Sequence, residues 1–269
     1  METEMRLTGR IFFLAVLLGS ASAALPQSPE IRVAAAADLK FAMDELAKQF
    51  EKQKGAKVNV TYGSSGNFLA QIQNGAPFDL FFSADMDYPK KLEAAGLAEP
   101  GTLCEYAIGR IVIWTPVDAN VDVTKEKWAA LLKPEVRKIA IANPDHAPYG
   151  RAAAAALKNA RIYDRVKSKL VYGENISQAA QFVQSGNAQA GVIALSLAIS
   201  PGMADGRRWE IPPDEYSLLE QGAVVLTSGK NKLQARQFLE LVKSAEGRAT
   251  LKKFGFAVPA VQPPPAGKR

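Results

Sequence analysis

The sequence is poor in the side chains that most often carry catalysis and metal binding. Its 269 residues include one cysteine, Cys104, and one histidine, His146. A single cysteine excludes an internal disulfide, and one cysteine with one histidine is too few for a zinc site of the Cys/His type. We expect both residues to be structural. Stability must then come from the hydrophobic core, which at this chain length is large enough.

Long apolar runs and runs of basic residues are also missing from most of the chain. After residue 24, no stretch approaches the roughly 18 apolar residues that a membrane-spanning helix needs. The net charge is +6, but the lysines and arginines are scattered and are not interleaved with aromatic residues. This pattern argues against a nucleic-acid partner. At most, the charge mildly favours anionic ligands.

The N-terminal segment has the pattern of an export signal. Arg6 and Arg10 precede the apolar run 11–18, and small residues occupy 19–24. A basic region, a short apolar region and an A-x-A-like end are typical of a secretory signal peptide. We expect residues 1–24 to be removed by cleavage near Ala23 or Ala24. The mature protein is then expected to be soluble and exported, and we expect it to be a monomer.

Apolar strands alternate with amphipathic helices along the rest of the chain. This alternation predicts an α/β fold in which mostly parallel sheets are covered by helices on both faces. The predicted strand 105–115 is long enough to leave one domain and enter another, and a strand at 221–227 returns. We therefore expect lobe 1 to comprise 25–107 plus 223–262 and lobe 2 to comprise 108–222. The segment 199–216, rich in proline, is predicted to be a loop, and 263–269 a loose C-terminal tail.

Four predicted strand-to-helix turns stand out, two in each half of the chain. They are Ala37-Asp38, Ser64-Ser65-Gly66, Tyr149-Gly150 and Asn175-Ile176-Ser177. Ligands of open parallel sheets bind beyond the carboxyl ends of the strands, where helix N-termini gather. The unpaired amides and the dipole at a helix N-terminus attract anions. Taken alone, a serine at such a turn is explained as a helix cap. Four such turns around one cleft suit a small, fully deprotonated oxyanion.

Several segments carry a family resemblance. They read AADLKFAM at 36–43, YGSSG at 62–66, GAPFDLFFSAD at 75–85, NPDHAPYG at 143–150 and KKFGF at 252–256. With these segments in this order, the chain resembles the periplasmic molybdate-binding proteins of ABC transporters over roughly 31–259. The resemblance implies the type II periplasmic-binding fold, in which two α/β lobes joined by two crossing strands close on molybdate or tungstate. It also implies two partners, the membrane permease and the ATPase of an ABC importer.

The resemblance further implies which residues contact the oxyanion. Ser65 is expected to give its hydroxyl and its backbone N–H. Tyr149 and Ile176 are expected to give backbone N–H groups. Ala37 and Asp38 lie where the family has a hydroxyl or amide residue that contacts the ligand.

Two positions depart from the family pattern. Ala194 stands where members often have a tyrosine hydroxyl. Asp38 would place a carboxylate beside a dianion, which is repulsive by on the order of several kcal/mol where water is excluded. One hypothesis is that Asp38 caps its own helix and offers the ligand only its backbone. The other is that its carboxylate accepts a hydrogen bond from a protonated ligand such as hydrogen phosphate.

Two other functions stay open. The first is a receptor for sulfate, phosphate or another small oxyanion. The second is an enzyme on the same fold with Ser64 or Ser65 as nucleophile. A serine nucleophile needs a nearby base, and His146 is far away in sequence. We therefore predict a binding protein for molybdate or tungstate with no catalytic residue and no cofactor.

Overall fold

In the computed structural model, which describes residues 29–259, the chain forms two five-stranded sheets flanked by helices. The predicted signal peptide and the predicted tail at 263–269 lie outside these residues. None of the helices in the described range is long and apolar enough to cross a membrane.

Ten strands build the two sheets. They are β1 (Glu30–Ala36), β2 (Lys57–Gly63), β3 (Leu80–Phe82), β4 (Cys104–Gly109), β5 (Ile111–Thr115), β6 (Ile139–Ala142), β7 (Leu170–Gly173), β8 (Ala190–Ala194), β9 (Arg207–Glu210) and β10 (Leu219–Val225). The first sheet has the order β2-β1-β3-β10-β4, and the second has the order β7-β6-β8-β5-β9. In each sheet one strand runs against its two neighbours, β10 in the first and β5 in the second. We call the first sheet with its helices lobe 1 and the second with its helices lobe 2.

Eleven α-helices surround the sheets in the described part of the chain. They are α1 (Lys40–Lys54), α2 (Ser65–Gln73), α3 (Asp87–Ala94), α4 (Val123–Glu126), α5 (Trp128–Leu132), α6 (Pro148–Asn159), α7 (Tyr163–Val166), α8 (Ile176–Gln184), α9 (Leu195–Ala198), α10 (Lys232–Lys243) and α11 (Ala245–Lys253). Because helices cover both faces of the sheets, β3, β5, β6 and β8 are buried along their whole length.

The chain passes between the lobes twice. The long strand predicted at 105–115 is divided at Arg110, where β4 ends in the first sheet and β5 begins in the second. The segment between β9 and β10 makes the return crossing. The first sheet runs to Gly109 and resumes at Leu219, a few residues outside the lobe 1 limits predicted at 107 and 223.

The predicted loop at 199–216 is wrong in part, because it contains β9. This edge strand pairs with β5, and its alternate residues are half-buried. Trp209 packs edge-to-face on Trp128 with 5.5 Å between ring centroids. A side chain at Gly206 would overlap the ring of Trp114. A strand of four residues with three charged side chains has too short an alternation to be recognised in a sequence.

Small side chains let the two lobes touch. Ala36 and Ala37, at the end of β1, and Ala84, after β3, are buried and belong to the same hydrophobic cluster as the core of lobe 2. Since a larger side chain at these positions would hold the lobes apart, the alanines bring the carboxyl ends of the strands of both lobes together. The predicted site lies there.

Candidate functional site

The five residues predicted to bind an oxyanion line one small cavity between the lobes. Its volume is about 10 Å³, and Ala37, Asp38, Ser65, Tyr149 and Ile176 all contribute to its wall. The four turns predicted to face one cleft are thus brought together by the fold. That these residues contact an oxyanion stays a prediction.

Three helices point their N-termini at this cavity. Ser65 is the first residue of α2, Tyr149 the second of α6 and Ile176 the first of α8. Ser64 and Asn175 cap α2 and α8 with their side-chain oxygens. The first amides of a helix have no partner within it. Among residues 29–259, no protein acceptor receives a hydrogen bond from the N–H groups of Ser65, Tyr149 or Ile176.

The hydroxyl of Ser65 is oriented by lobe 1. The amide of Ala84 donates to Ser65 Oγ at 2.9 Å, and both residues are buried. A serine hydroxyl has one hydrogen to donate and two lone pairs to accept with. Because this contact uses a lone pair, the hydroxyl hydrogen is available to a group in the cavity.

Asp38 does not cap its own helix, so the capping hypothesis is wrong. It lies inside a 3₁₀ turn, Ala37–Leu39, that precedes α1, and no side chain caps either element. Its Oδ2 instead accepts hydrogen bonds from the hydroxyl of Tyr149 at 3.0 Å and the amide of Gln221 at 2.7 Å. The 3₁₀ turn moves the start of α1 past Asp38, which leaves the carboxylate free to meet these donors.

The Asp38 carboxyl group is buried, with 1% of the residue exposed. Its Oδ1 has no hydrogen-bond partner among the described residues. Burial raises the pKa of Asp38 to about 6, and the hydrogen bonds from Gln221 and Tyr149 offset part of that rise. This carboxyl group is therefore much easier to protonate than an exposed aspartate.

Gln221 is a residue of the site that the sequence analysis missed. It is fully buried in β10, at a shift in the pairing register with β4. Its Oε1 accepts from the Tyr106 hydroxyl at 2.7 Å, which turns the amide NH₂ toward Asp38. A side chain at Gly109 would overlap both Gln221 and the hydroxyl of Tyr149. The sequence feature that could have identified Gln221 is a single glutamine at the start of a predicted apolar strand.

Ala194, at the position where family members often have a tyrosine, does not contribute to the cavity. Ala194 is buried at the end of β8 and does not line the cavity wall. Ser196, two residues later, donates to the backbone carbonyl of Asp38 at 2.8 Å. From α8, Ser177 donates to the carbonyl of Ala37 at 3.0 Å. Both serines therefore tie lobe 2 to the 3₁₀ turn of lobe 1.

Ser64 has a base nearby in the fold, although His146 is far away in sequence. His146 Nδ1 is 2.9 Å from Ser64 Oγ, because the closed lobes bring together residues 82 positions apart. The Glu174 carboxylate lies 3.8 Å from His146 Nε2, too far for the hydrogen bond that orients a catalytic histidine. The amide of Gly66 also donates to the carbonyl of His146 at 2.9 Å. These contacts favour a role for His146 in closing the lobes.

An ion pair closes the outer edge of the interface. Arg151 of α6 contacts the Asp85 carboxylate at 2.5 Å and the Tyr88 hydroxyl at 3.0 Å, both in lobe 1. Burial raises the pKa of Asp85, and the guanidinium of Arg151 counteracts this. The arginine side chain is 42% exposed, so part of the pair faces solvent. Within residues 29–259, no lysine or arginine lines the cavity itself.

Comparisons with known proteins agree with this architecture. Residues 31–257 match the family described as bacterial extracellular solute-binding protein. The chain is 39% identical to the molybdate-binding protein ModA of Azotobacter vinelandii over 247 residues, which cover 91% of this chain and 97% of that protein. It is 37% identical to ModA of Rhodobacter capsulatus, with 90% and 93% covered.

A solved structure gives the same picture. The periplasmic molybdate-binding protein of Azotobacter vinelandii superposes with a TM-score of 0.79 at 35% identity, covering 85% of this chain and 99% of that one. The predicted two-lobed α/β fold with crossing strands is confirmed.

Proposed function

The chain belongs to the bacterial extracellular solute-binding protein family, and from that premise we propose that it captures molybdate or tungstate between its lobes. It then delivers the oxyanion to an ABC importer. Two relatives that align with at least 90% of the chain are named as molybdate-binding proteins. The ligand is cargo, and the protein needs no cofactor and carries out no reaction on it.

The observation that carries the proposal is the set of neutral donors around the cavity. Ser65, Tyr149 and Ile176 line one cavity at the N-termini of three helices, and their amides have no acceptor among the described residues. Helix N-termini hold anions through their amides and the positive end of the dipole. Neutral donors on rigid elements suit a tetrahedral dianion whose oxygens each accept hydrogen bonds.

We assign each predicted residue a role on this basis. Ser65 binds through its hydroxyl and its N–H, and Tyr149 and Ile176 bind through N–H groups alone. Ala37 shapes the wall and lets the lobes approach. Asp38 contacts the ligand from the 3₁₀ turn.

The protein acts outside the cytoplasm, as a monomer whose lobes close on the ligand. Its partners are the permease and the ATPase of the importer. The permease recognises the closed form, in which both lobes are held by the contacts of His146 and Arg151 described above.

Calorimetric titration of residues 25–269 with molybdate, tungstate, sulfate and phosphate tests the proposal. Molybdate and tungstate are expected to bind, with sulfate and phosphate at least about 100-fold weaker because a fixed ring of donors matches one ligand size. Ser65→Ala should weaken molybdate binding about 10- to 100-fold, since a hydrogen bond to a charged group is lost. Ser185→Ala, at an exposed serine, is the control and should bind like wild type. Equal or tighter binding of sulfate would overturn the proposal.

One observation favours a second candidate ligand. The buried carboxylate of Asp38 has an oxygen without a partner, and it could accept a hydrogen bond from a protonated oxyanion such as hydrogen phosphate. In the same titrations, phosphate would then bind more tightly than molybdate.

A further inference from the structure

We infer that Asp38 binds the oxyanion as a neutral carboxylic acid, donating a hydrogen bond from Oδ1 to a ligand oxygen, so that capture of molybdate takes up a proton. The inference rests on the proposed function, because it concerns the same cavity and the same ligand. It reverses the hydrogen-bond direction expected for an ionised aspartate.

The distribution of partners on the carboxyl group is the first argument. Oδ2 accepts from both Tyr149 and Gln221, while Oδ1 accepts from no described residue. The carbonyl oxygen of a carboxylic acid accepts hydrogen bonds, and its hydroxyl oxygen needs an acceptor for the proton. A carboxylate would leave a charged oxygen buried without a donor, which is costly. The arrangement fits an acid whose O–H is directed to a ligand in the cavity.

The charge of the ligand is the second argument. Molybdate carries two negative charges and no proton near neutral pH. An ionised carboxylate in contact with it, in a site that excludes water, would repel it. A neutral acid adds instead one more donor to the ring formed by Ser65, Tyr149 and Ile176.

No lysine or arginine of the described residues forms a hydrogen bond or ion pair with Asp38, so the carboxyl group has no cation to neutralise it. Its direct partners are Tyr149 of α6 and Gln221 of β10, and Tyr106 of β4 lies behind Gln221. Burial raises the pKa of both tyrosines well above the ordinary range, so both stay neutral. The two helices of lobe 2 that pack on the 3₁₀ turn, α8 and α9, carry no charged residue.

Charged groups at the start of α1 and at the outer edge of the lobe interface are paired with one another. On α1, Lys40 pairs with Asp44 at 3.1 Å, and Tyr62 of β2 donates to the same Asp44. Beyond the cavity, Arg151 pairs with Asp85. His146 also lies near the cavity, where its Nδ1 is 2.9 Å from Ser64 Oγ.

The pH dependence follows from the state of Asp38 before binding. Its pKa is about 6 where the lobes are closed, and it falls where the lobes part and water reaches the carboxyl group, so in both states a growing fraction is ionised above this pH. Apparent affinity falls in proportion to the fraction that can bind. The dissociation constant for molybdate is therefore expected to rise about tenfold for each pH unit above about 6.

The test is a calorimetric titration of wild type and Asp38→Asn with molybdate between pH 5.5 and 8.5. Each titration is repeated in two buffers that differ in ionisation enthalpy, so that proton uptake is counted. Wild type should show the tenfold slope and take up close to one proton at high pH. Asp38→Asn keeps an oxygen for Tyr149 and Gln221 and presents a fixed N–H donor, so its affinity should be independent of pH, with no proton uptake.

Two further measurements distinguish protonation of Asp38 from other causes of a pH-dependent affinity. Ser65→Ala should bind more weakly yet keep the wild-type slope, because its Asp38 is intact. An infrared carbonyl band of a protonated carboxyl group should appear when wild type binds molybdate at high pH, and should be absent in Asp38→Asn.

Three outcomes would overturn the inference. A flat wild-type profile with tight molybdate binding would leave the proposed function in place and show that Asp38 stays ionised. A slope that persists in Asp38→Asn would assign the proton to His146. Failure of both proteins to bind molybdate at any pH would remove the proposed function and the inference with it.

Discussion

The two lobes line the cavity with different kinds of chemical group. Lobe 1 lines it with two polar residues, Ser65, whose hydroxyl accompanies its backbone N–H, and Asp38, which carries a carboxyl group. Lobe 2 contributes the backbone amides of Tyr149 and Ile176, and the Ile176 side chain packs into its core. Substitutions in lobe 1 can therefore change the ligand chemistry directly. In lobe 2 they act through the position of a helix.

The contacts that close the lobes show a second difference. Around the 3₁₀ turn, lobe 2 supplies the donors and lobe 1 the acceptors, as in the contacts of Ser177, Ser196 and Tyr149. Around α2 the direction is reversed, because Gly66 donates to the carbonyl of His146. The lobes are thus complementary only in one relative position, which aligns the donors of both around the cavity.

The largest effect is expected from Gly66→Val, which disrupts the contact between α2 of lobe 1 and His146 of lobe 2. A Cβ at this position would lie 2.6 Å from the carbonyl oxygen of His146 and 2.9 Å from the Tyr88 hydroxyl. Overpacking of this kind costs about 1–3 kcal/mol, so molybdate affinity should fall by roughly 100-fold while each lobe stays folded. Calorimetry measures the affinity, and circular dichroism the fold.

The control for Gly66→Val is Ala70→Val, which adds the same β-branched side chain to the exposed face of the same helix. It should bind molybdate like wild type. If both variants lost affinity equally, the lower helix propensity of valine would be the cause and the interface contact would not matter.

The next effect concerns stability and the carboxyl group of lobe 1. An acid whose folded pKa is raised contributes stability that is complete below its ordinary pKa of 3.8 and is lost as pH rises through about 6. Asp38→Asn removes this loss. We compare the unfolding free energy of ligand-free Asp38→Asn with that of ligand-free wild type. The difference, variant minus wild type, should increase by about 2–3 kcal/mol between pH 4 and pH 7.

Urea unfolding of both proteins at the two pH values measures this difference. All other ionisable groups are the same in the two proteins, so their contributions cancel in the comparison. An equal difference at pH 4 and pH 7 would mean that Asp38 is solvated in the ligand-free protein, with its lobes apart.

A smaller effect is expected at the rim of lobe 2. Arg151→Gln breaks the ion pair with Asp85, which is partly exposed and so contributes about 1 kcal/mol or less. Molybdate affinity should fall a few-fold at low salt, and the difference should shrink at high salt because the pair is screened. Arg165→Gln, at an exposed arginine of the same lobe, should leave affinity unchanged at both salt concentrations.

The smallest effect on binding is expected from Ile176→Val, because this residue acts through its backbone. Loss of one buried methylene should lower the unfolding free energy by about 0.5–1.5 kcal/mol, while molybdate affinity stays at the wild-type value. Thermal unfolding and calorimetry on the same sample give both numbers. A large loss of affinity would show that the Ile176 side chain positions the amide. Side chains would then matter for binding in both lobes.

The sequence by itself determined the features that depend on neighbouring residues. Apolar strands that end in the turns at Ser64-Ser65-Gly66 and Asn175-Ile176-Ser177 predict where helices begin, since capping and periodicity act over a few positions. The predicted fold and the place of the five site residues followed from these local signals together with the family resemblance.

Tertiary structure alone decided what the polar groups of the site contact. Gln221 reaches Asp38 across 183 positions and His146 reaches Ser64 across 82, and no local pattern encodes such partners. The removal of water from Asp38, which raises its pKa, also depends on groups from both lobes. Hydrogen-bond partners and desolvation arise when distant segments pack, so the chemistry of this carboxyl group is a property of the closed fold.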